Sequence, residues 1–99
     1  MERLWMWGGE FFGYRDSDRL WTYDGRNVGR FHGDEVYGMD GRYLGEVQGD
    51  RLITKRSKKS KRKSRFQPAL NRIGIVKSVN RVGRVLGMGH EDFPNPEGI

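Results

Sequence analysis

The sequence predicts an all-β fold of four hairpin repeats, about 16 residues each, with a basic loop interrupting the fourth. Three observations predict it. Shifted by 16 residues, the chain matches itself: Leu4, Leu20, Val36 and Leu52 share one column, and Trp5, Trp21, Tyr37 and Ile53 another. Gly9, Gly25 and Gly41 coincide, as do Gly13, Gly29 and Gly45, and as do Phe12, Val28 and Leu44. Asp24-Gly25 and Asp40-Gly41, with Gly8-Gly9 in the same phase, are hairpin-turn dipeptides between apolar, aromatic-rich runs. A fixed internal period of this kind is the mark of a repeat architecture.

The repeats run over 4–19, 20–35 and 36–51, with the fourth starting at 52. A two-residue type I′ turn at each dipeptide would pair Trp5 with Phe12, Trp21 with Val28 and Tyr37 with Leu44 across the strands. On the other face Leu4, Leu20 and Val36 would meet Gly13, Gly29 and Gly45, and a recurring mid-strand glycine implies close approach by a neighbouring unit. The connections, such as His32-Gly33-Asp34-Glu35, are polar and turn-rich. Leu52-Ile53-Thr54 continues the strand columns, but Ser57 and Lys61 stand where glycines belong. A loop over 55–65 replaces the turn, and a later strand is expected to complete the fourth hairpin. From Leu70 to Met88 the chain is β-branched and glycine-punctuated, which favours strands around Ile73–Val76 and Val82–Leu86. The same stretch repeats apolar residues every three positions (Leu70, Ile73, Val76, Val79, Val82 and Val85), so a helix stays open as an alternative. Strands and an irregular tail over 69–99 close one domain, with Phe93 anchoring the tail.

Ninety-nine residues allow one compact unit with a modest core. Apolar residues make up 34% and charged residues 32%, lean for a globular chain, but 12% aromatics argue against disorder. No apolar run approaches a membrane span, and Met-Glu-Arg-Leu-Trp lacks the order of a signal peptide. Without cysteine there is no disulfide, thiolate nucleophile or thiolate-held metal, and a reducing cytoplasm is the expected location.

The units LWTYDGRNVGRFHGD and VYGMDGRYLGEVQGD, the LIT strand, the SKKS-type basic stretch and the closing GHEDFPNPE resemble the bacterial four-fold beta-flower family. The resemblance implies a small all-β domain of four hairpin petals around a pseudo-four-fold axis, and it implies no activity and no catalytic residue.

The chemistry-bearing inventory is short. The chain has no nucleophile elbow, zinc-protease helix or phosphate-binding loop. His90-Glu91-Asp92 has no partner ligands at a metal-binding spacing, so no metal and no cofactor are expected. Asp18, Asp34 and Asp50 recur because a repeated turn repeats its aspartate, and Trp5, Trp21 and Tyr37 read as core before pocket. The net charge of +6 is confined to one run: Lys55, Arg56, Lys58, Lys59, Lys61, Arg62, Lys63 and Arg65. Without those eight the remainder carries 11 cations against 13 anions. Such a run attracts nucleic-acid phosphates without reading sequence, or else solubilises nearby strand edges. The leading expectation is a non-catalytic binding or interaction module for an unknown protein or small ligand, with homo-oligomers open to it and no membrane role. The alternative is an accessory, sequence-independent nucleic-acid-binding protein acting through residues 55–65.

Overall fold

A computed structural model describes residues 1–99. The strands follow in chain order as β1 (Glu2–Met6), β2 (Phe11–Asp16), β3 (Arg19–Thr22), β4 (Asn27–His32), β5 (Glu35–Gly38), β6 (Tyr43–Gln48), β7 (Arg51–Lys55) and β8 (His90–Asp92). Each strand from β1 to β7 pairs antiparallel with the next, and β1 returns to β7 in a short parallel contact at Trp5–Arg51 and Met6–Leu52. Seven strands thereby close into a barrel, which removes most of the free edge that a small sheet would expose. The rest of β7 takes β8 antiparallel, with Ile53 opposite Asp92 and Lys55 opposite His90. The chain reaches β8 only after a long excursion from β7.

Two kinds of turn alternate, and the tips differ from expectation. Units are joined by two-residue turns at Ser17-Asp18, Gly33-Asp34 and Gly49-Asp50, flanked by the pairs Asp16–Arg19, His32–Glu35 and Gln48–Arg51. The Asp-Gly tips instead hold three residues. The N–H groups of Gly9, Gly25 and Gly41 donate to the carbonyls of Met6, Thr22 and Gly38. The φ of Gly25 is +88°, a left-handed bulge that glycine adopts without strain. The extra residue moves the register by one, so Trp5 faces Phe11, Trp21 faces Asn27 and Tyr37 faces Tyr43, rather than Phe12, Val28 and Leu44. Beyond the bulge the expected pairs stand: Leu4 with Gly13, Leu20 with Gly29 and Val36 with Gly45. The close approach inferred for these glycines is real. A Cβ at Gly45 would lie 2.5 Å from the Ile53 carbonyl oxygen and 2.6 Å from the Phe93 ring.

The barrel interior is the leucine column itself. Leu4, Leu20, Val36 and Leu52 are wholly buried, joined by Phe12, Val28, Phe31 and Val47. Phe93 enters this core edge-on to Phe12, centroids 5.3 Å apart, and so anchors the tail.

Residues 63–88 form neither strand nor helix, which corrects the strands expected around Ile73–Val76 and Val82–Leu86. Barrel closure takes most of the edge, and β8 takes the part of β7 that closure leaves, so this segment does not join the sheet. It runs instead as a strap over the hairpin tips, in reverse order. Lys63, Arg72 and Arg81 donate their backbone N–H to the carbonyls of Gly41, Gly25 and Gly9; Phe66, Ile75 and Arg84 donate to Met39, Tyr23 and Trp7. Every contact recurs at nine residues, in steps of three. Three is the period of an extended left-handed chain, and two that of a strand. At about 3.1 Å per residue such a chain covers roughly 80 Å, enough to pass three units of a body 37 by 34 Å across.

Candidate interaction surface

The strap is held by its cations as well as its backbone. The Arg81 guanidinium lies 3.6 Å from the Trp5 ring centroid and that of Arg72 lies 3.9 Å from Trp21, while Lys63 stands 5.9 Å from Tyr37. Lys77 and Arg84 cover Tyr23 and Trp7 in the same way. Arg72 also pairs with Asp16 at 2.8 Å, which holds that carboxyl below its ordinary range, and Arg81 pairs with Asp50. The Trp5 and Trp7 indoles donate to the carbonyls of Val79 and Val85 at 3.0 Å. The aromatic column Trp5, Trp21 and Tyr37 is thus a buried layer outside the leucine core, roofed by a cation in each unit. It lines no open pocket.

The third residue of each strap triplet faces away from the barrel. Leu70, Ile73, Val76, Val79, Val82 and Val85 are 87–94% exposed, and Met88 continues the series at 100%. The inward positions are committed elsewhere: Gly74 and Gly83 press against the tips, where a Cβ would meet the Tyr23 carbonyl at 3.1 Å and the Gly8 carbonyl at 2.8 Å. The phase of the strap is therefore fixed with its aliphatic ridge outward.

Where it leaves β7, five cations of the basic run are tied to three carboxylates. Lys58 Nζ bridges Glu35 and Glu46 at 2.9 and 3.0 Å, Lys61 pairs with Glu35 and Lys55 with Glu46. Arg56 and Lys59 converge on Glu91 of β8. The Lys58 and Lys61 ammonium groups, aided by the Tyr37 hydroxyl, pull Glu35 down to about 2 against the opposing pull of burial. Burial raises Glu46, but Lys58, Lys55 and Tyr43 outweigh it and hold that carboxyl below its ordinary value. Burial and Glu35 push the Tyr37 hydroxyl up to about 12, and burial does the same for Tyr43. Arg62, Lys63 and Arg65 stand outside these ion pairs. Arg62 bridges to Arg42 of the third tip, and both line an open hollow of about 400 Å³ with Leu44 and Lys59. A second hollow of about 370 Å³, between Val28, Met39, Leu44 and the tail residues Pro94 and Ile99, adjoins it.

The recurring aspartates serve as turn residues. The Asp18 and Asp34 carbonyls accept the N–H groups of Phe31 and Val47, and the Asp50 carbonyl accepts that of Trp5 where the barrel closes. No three His, Asp or Glu side chains gather as a metal would require. In the tail segment His90-Glu91-Asp92 it is Asp92 that carries the local structure. One of its oxygens accepts from the Trp7 and Phe93 N–H groups at 3.0 and 2.8 Å, and the other from Gly8 at 2.9 Å. These bonds close the gap between β8 and the first tip.

Compared with known families, residues 2–81 match the model described as 4-fold beta flower protein. The chain belongs to this family. The match spans the barrel, the basic run and the strap through Arg81; it stops short of the GHEDFPNPE ending. No curated protein and no solved structure matches the chain. No catalytic role is known for beta-flower proteins. No helix of this beta flower is long and apolar enough to cross a membrane.

Sequence reasoning saw the three-residue apolar recurrence but read it as strand or helix, and missed that it would stand outward on a strap. Its signal was available: Asn71-Arg72-Ile73-Gly74-Ile75-Val76 and Asn80-Arg81-Val82-Gly83-Arg84-Val85 repeat at nine residues, set against a sixteen-residue period in the barrel.

Proposed function

We propose that this beta-flower protein is a non-catalytic interaction module whose working surface is the aliphatic ridge of the strap. One observation carries the reading: seven apolar side chains, every third residue from Leu70 to Met88, stand almost fully exposed in a single line. Seven apolar side chains left this exposed along one edge of a small protein mark a place where something binds. The axis favours no ligand, because Leu4, Leu20, Val36 and Leu52 fill it. Acid–base chemistry at neutral pH needs a group poised near 7. Glu35 and Glu46 instead stay ionised in lysine pairs, and Tyr37 and Tyr43 stay protonated. The nucleic-acid alternative through residues 55–65 is the weaker reading, since Glu35, Glu46 and Glu91 occupy five of its eight cations. The cytoplasm remains the proposed location on the absence of cysteine.

Photo-crosslinking in the producing cell tests the module. A photoreactive residue replaces Val79, and in a control it replaces Asp34 on a tight turn. A discrete covalent adduct at 79 and none at 34 is the expected result. The absence of any adduct at 79 removes the reading.

A further inference from the structure

We infer that the ridge is a self-association surface, covered by the strap of a second copy of this chain; the inference rests on the interaction-module reading. The ridge cannot turn inward, because the other two residues of each triplet are committed to the barrel. Arg72 and Arg81 hold Trp21 and Trp5, the N–H groups of Ile75 and Arg84 are bonded to the tips, and Gly74 and Gly83 lie against them.

A fully buried aliphatic side chain removes roughly 100 Å² of apolar area from water. Seven such side chains offer roughly 700 Å², close to the roughly 800 Å² per partner of a stable pair. A typical monomer leaves about 300–600 Å² in its largest apolar patch.

Two features favour a second copy as the occupant. The first is charge. The ridge segment from Leu70 to Met88 holds no acid, and its four cations, Arg72, Lys77, Arg81 and Arg84, lie over the rings of Trp21, Tyr23, Trp5 and Trp7 rather than between two facing ridges. The second is symmetry. A two-fold contact must be self-complementary, and the ridge is balanced about its central residue, Val79. An antiparallel approach sets Val76 against Val82, Ile73 against Val85 and Leu70 against Met88, matching side chains of similar bulk at each level.

Sedimentation velocity on the full chain, from about 1 to about 200 µM, reads the association directly. The expected result is a shift from the 11.5 kDa monomer towards twice that mass or more as concentration rises. A Val76→Ser, Val79→Ser, Val82→Ser variant should remain monomeric with an unchanged near-ultraviolet circular dichroism spectrum. If that variant fails to fold, Val79→Gln alone should weaken association at least about tenfold, the equivalent of 1.4 kcal/mol. A wild type that stays monomeric throughout overturns the inference. The crosslink at 79 then separates the two levels of argument: an adduct of two chains supports self-association. An adduct with another protein from a monomeric chain overturns it and leaves the module standing, and no adduct ends both. Co-sedimentation of the monomer with phosphatidylcholine–phosphatidylglycerol vesicles, lost on the serine substitutions, likewise overturns it in favour of a lipid surface.

Discussion

Glu35 and Glu46 stand directly opposite one another on β5 and β6, and both remain ionised because Lys58 Nζ sits between them at 2.9 and 3.0 Å. Facing like charges destabilise a strand pair. Here the basic run supplies the counter-charge, so a segment that looks like a nucleic-acid tail acts first as a clamp on the third unit.

Acid should open this clamp within a defined window. Glu35 has its folded value depressed from 4.5 to about 2. Its stabilising contribution is complete above about pH 4.5 and fades as pH falls towards 2, since the unfolded chain takes up the proton first. Thermal melts across that range should show a falling midpoint, and Glu35→Gln should flatten the fall. A Glu35→Gln profile as steep as the wild type would contradict this assignment.

Removing the bridging ammonium should be felt most by Glu46. In Lys58→Met the two carboxylates face each other with only Lys55 and Lys61 nearby. Carbon-detected NMR titration should find the Glu46 carboxyl raised from its depressed wild-type position, because burial is then opposed by Lys55 and Tyr43 alone. The melting midpoint at pH 7 should drop, and the gap from wild type should narrow as the carboxylates become protonated.

Phe93 joins the tail to the barrel, and its loss should cost heavily. It is 2% exposed and lies edge-on to Phe12. Phe93→Ala should destabilise by about 3–5 kcal/mol in denaturant titrations, as expected for emptying a packed aromatic site. Gly45→Ala attacks the same place from the opposite side, driving a methyl into the Ile53 carbonyl and the Phe93 ring. Its expected cost is about 1–3 kcal/mol. Amide exchange in β8 should quicken in both variants.

Oligonucleotide binding, followed by fluorescence anisotropy across salt, measures how many cations of the run are free. Eight available cations would give a log–log slope near −6 on single strands, at about −0.7 per phosphate neutralised. With Lys55, Arg56, Lys58, Lys59 and Lys61 held by carboxylates, the slope should be no steeper than about −2. A slope near −6, abolished when residues 55–65 become a Gly/Ser linker, would restore the nucleic-acid reading.

The repeats were legible because each unit repeats its chemistry in phase, but the sequence pointed to Trp5, Trp21 and Tyr37 as the core, whereas the leucine column fills the axis. The turn type was not legible, since an Asp-Gly pair fits both a two-residue turn and a three-residue turn ending in a left-handed glycine. That one-residue ambiguity moved the partner of Trp21 from Val28 to Asn27. The strap was misread for a different reason. Ile73, Val76 and Val82 carry strand propensity, but propensity depends on an available partner edge, and β1–β7 closure and β8 had between them taken most of it. The carboxylate partners of the basic run lie up to 35 residues away along the chain, as with Glu91 and Arg56, beyond anything local spacing displays.

The strap also ties the number of petals to two separate stretches of the chain. A further hairpin would need sixteen residues inserted before Arg51, and a matching nine residues inside the strap to keep Lys63, Arg72 and Arg81 over their rings. Duplicating one stretch without the other would leave an aromatic unroofed or a cation with nothing beneath it. Gain or loss of a petal therefore calls for matched changes in both stretches, and the belt holds the barrel to its present girth.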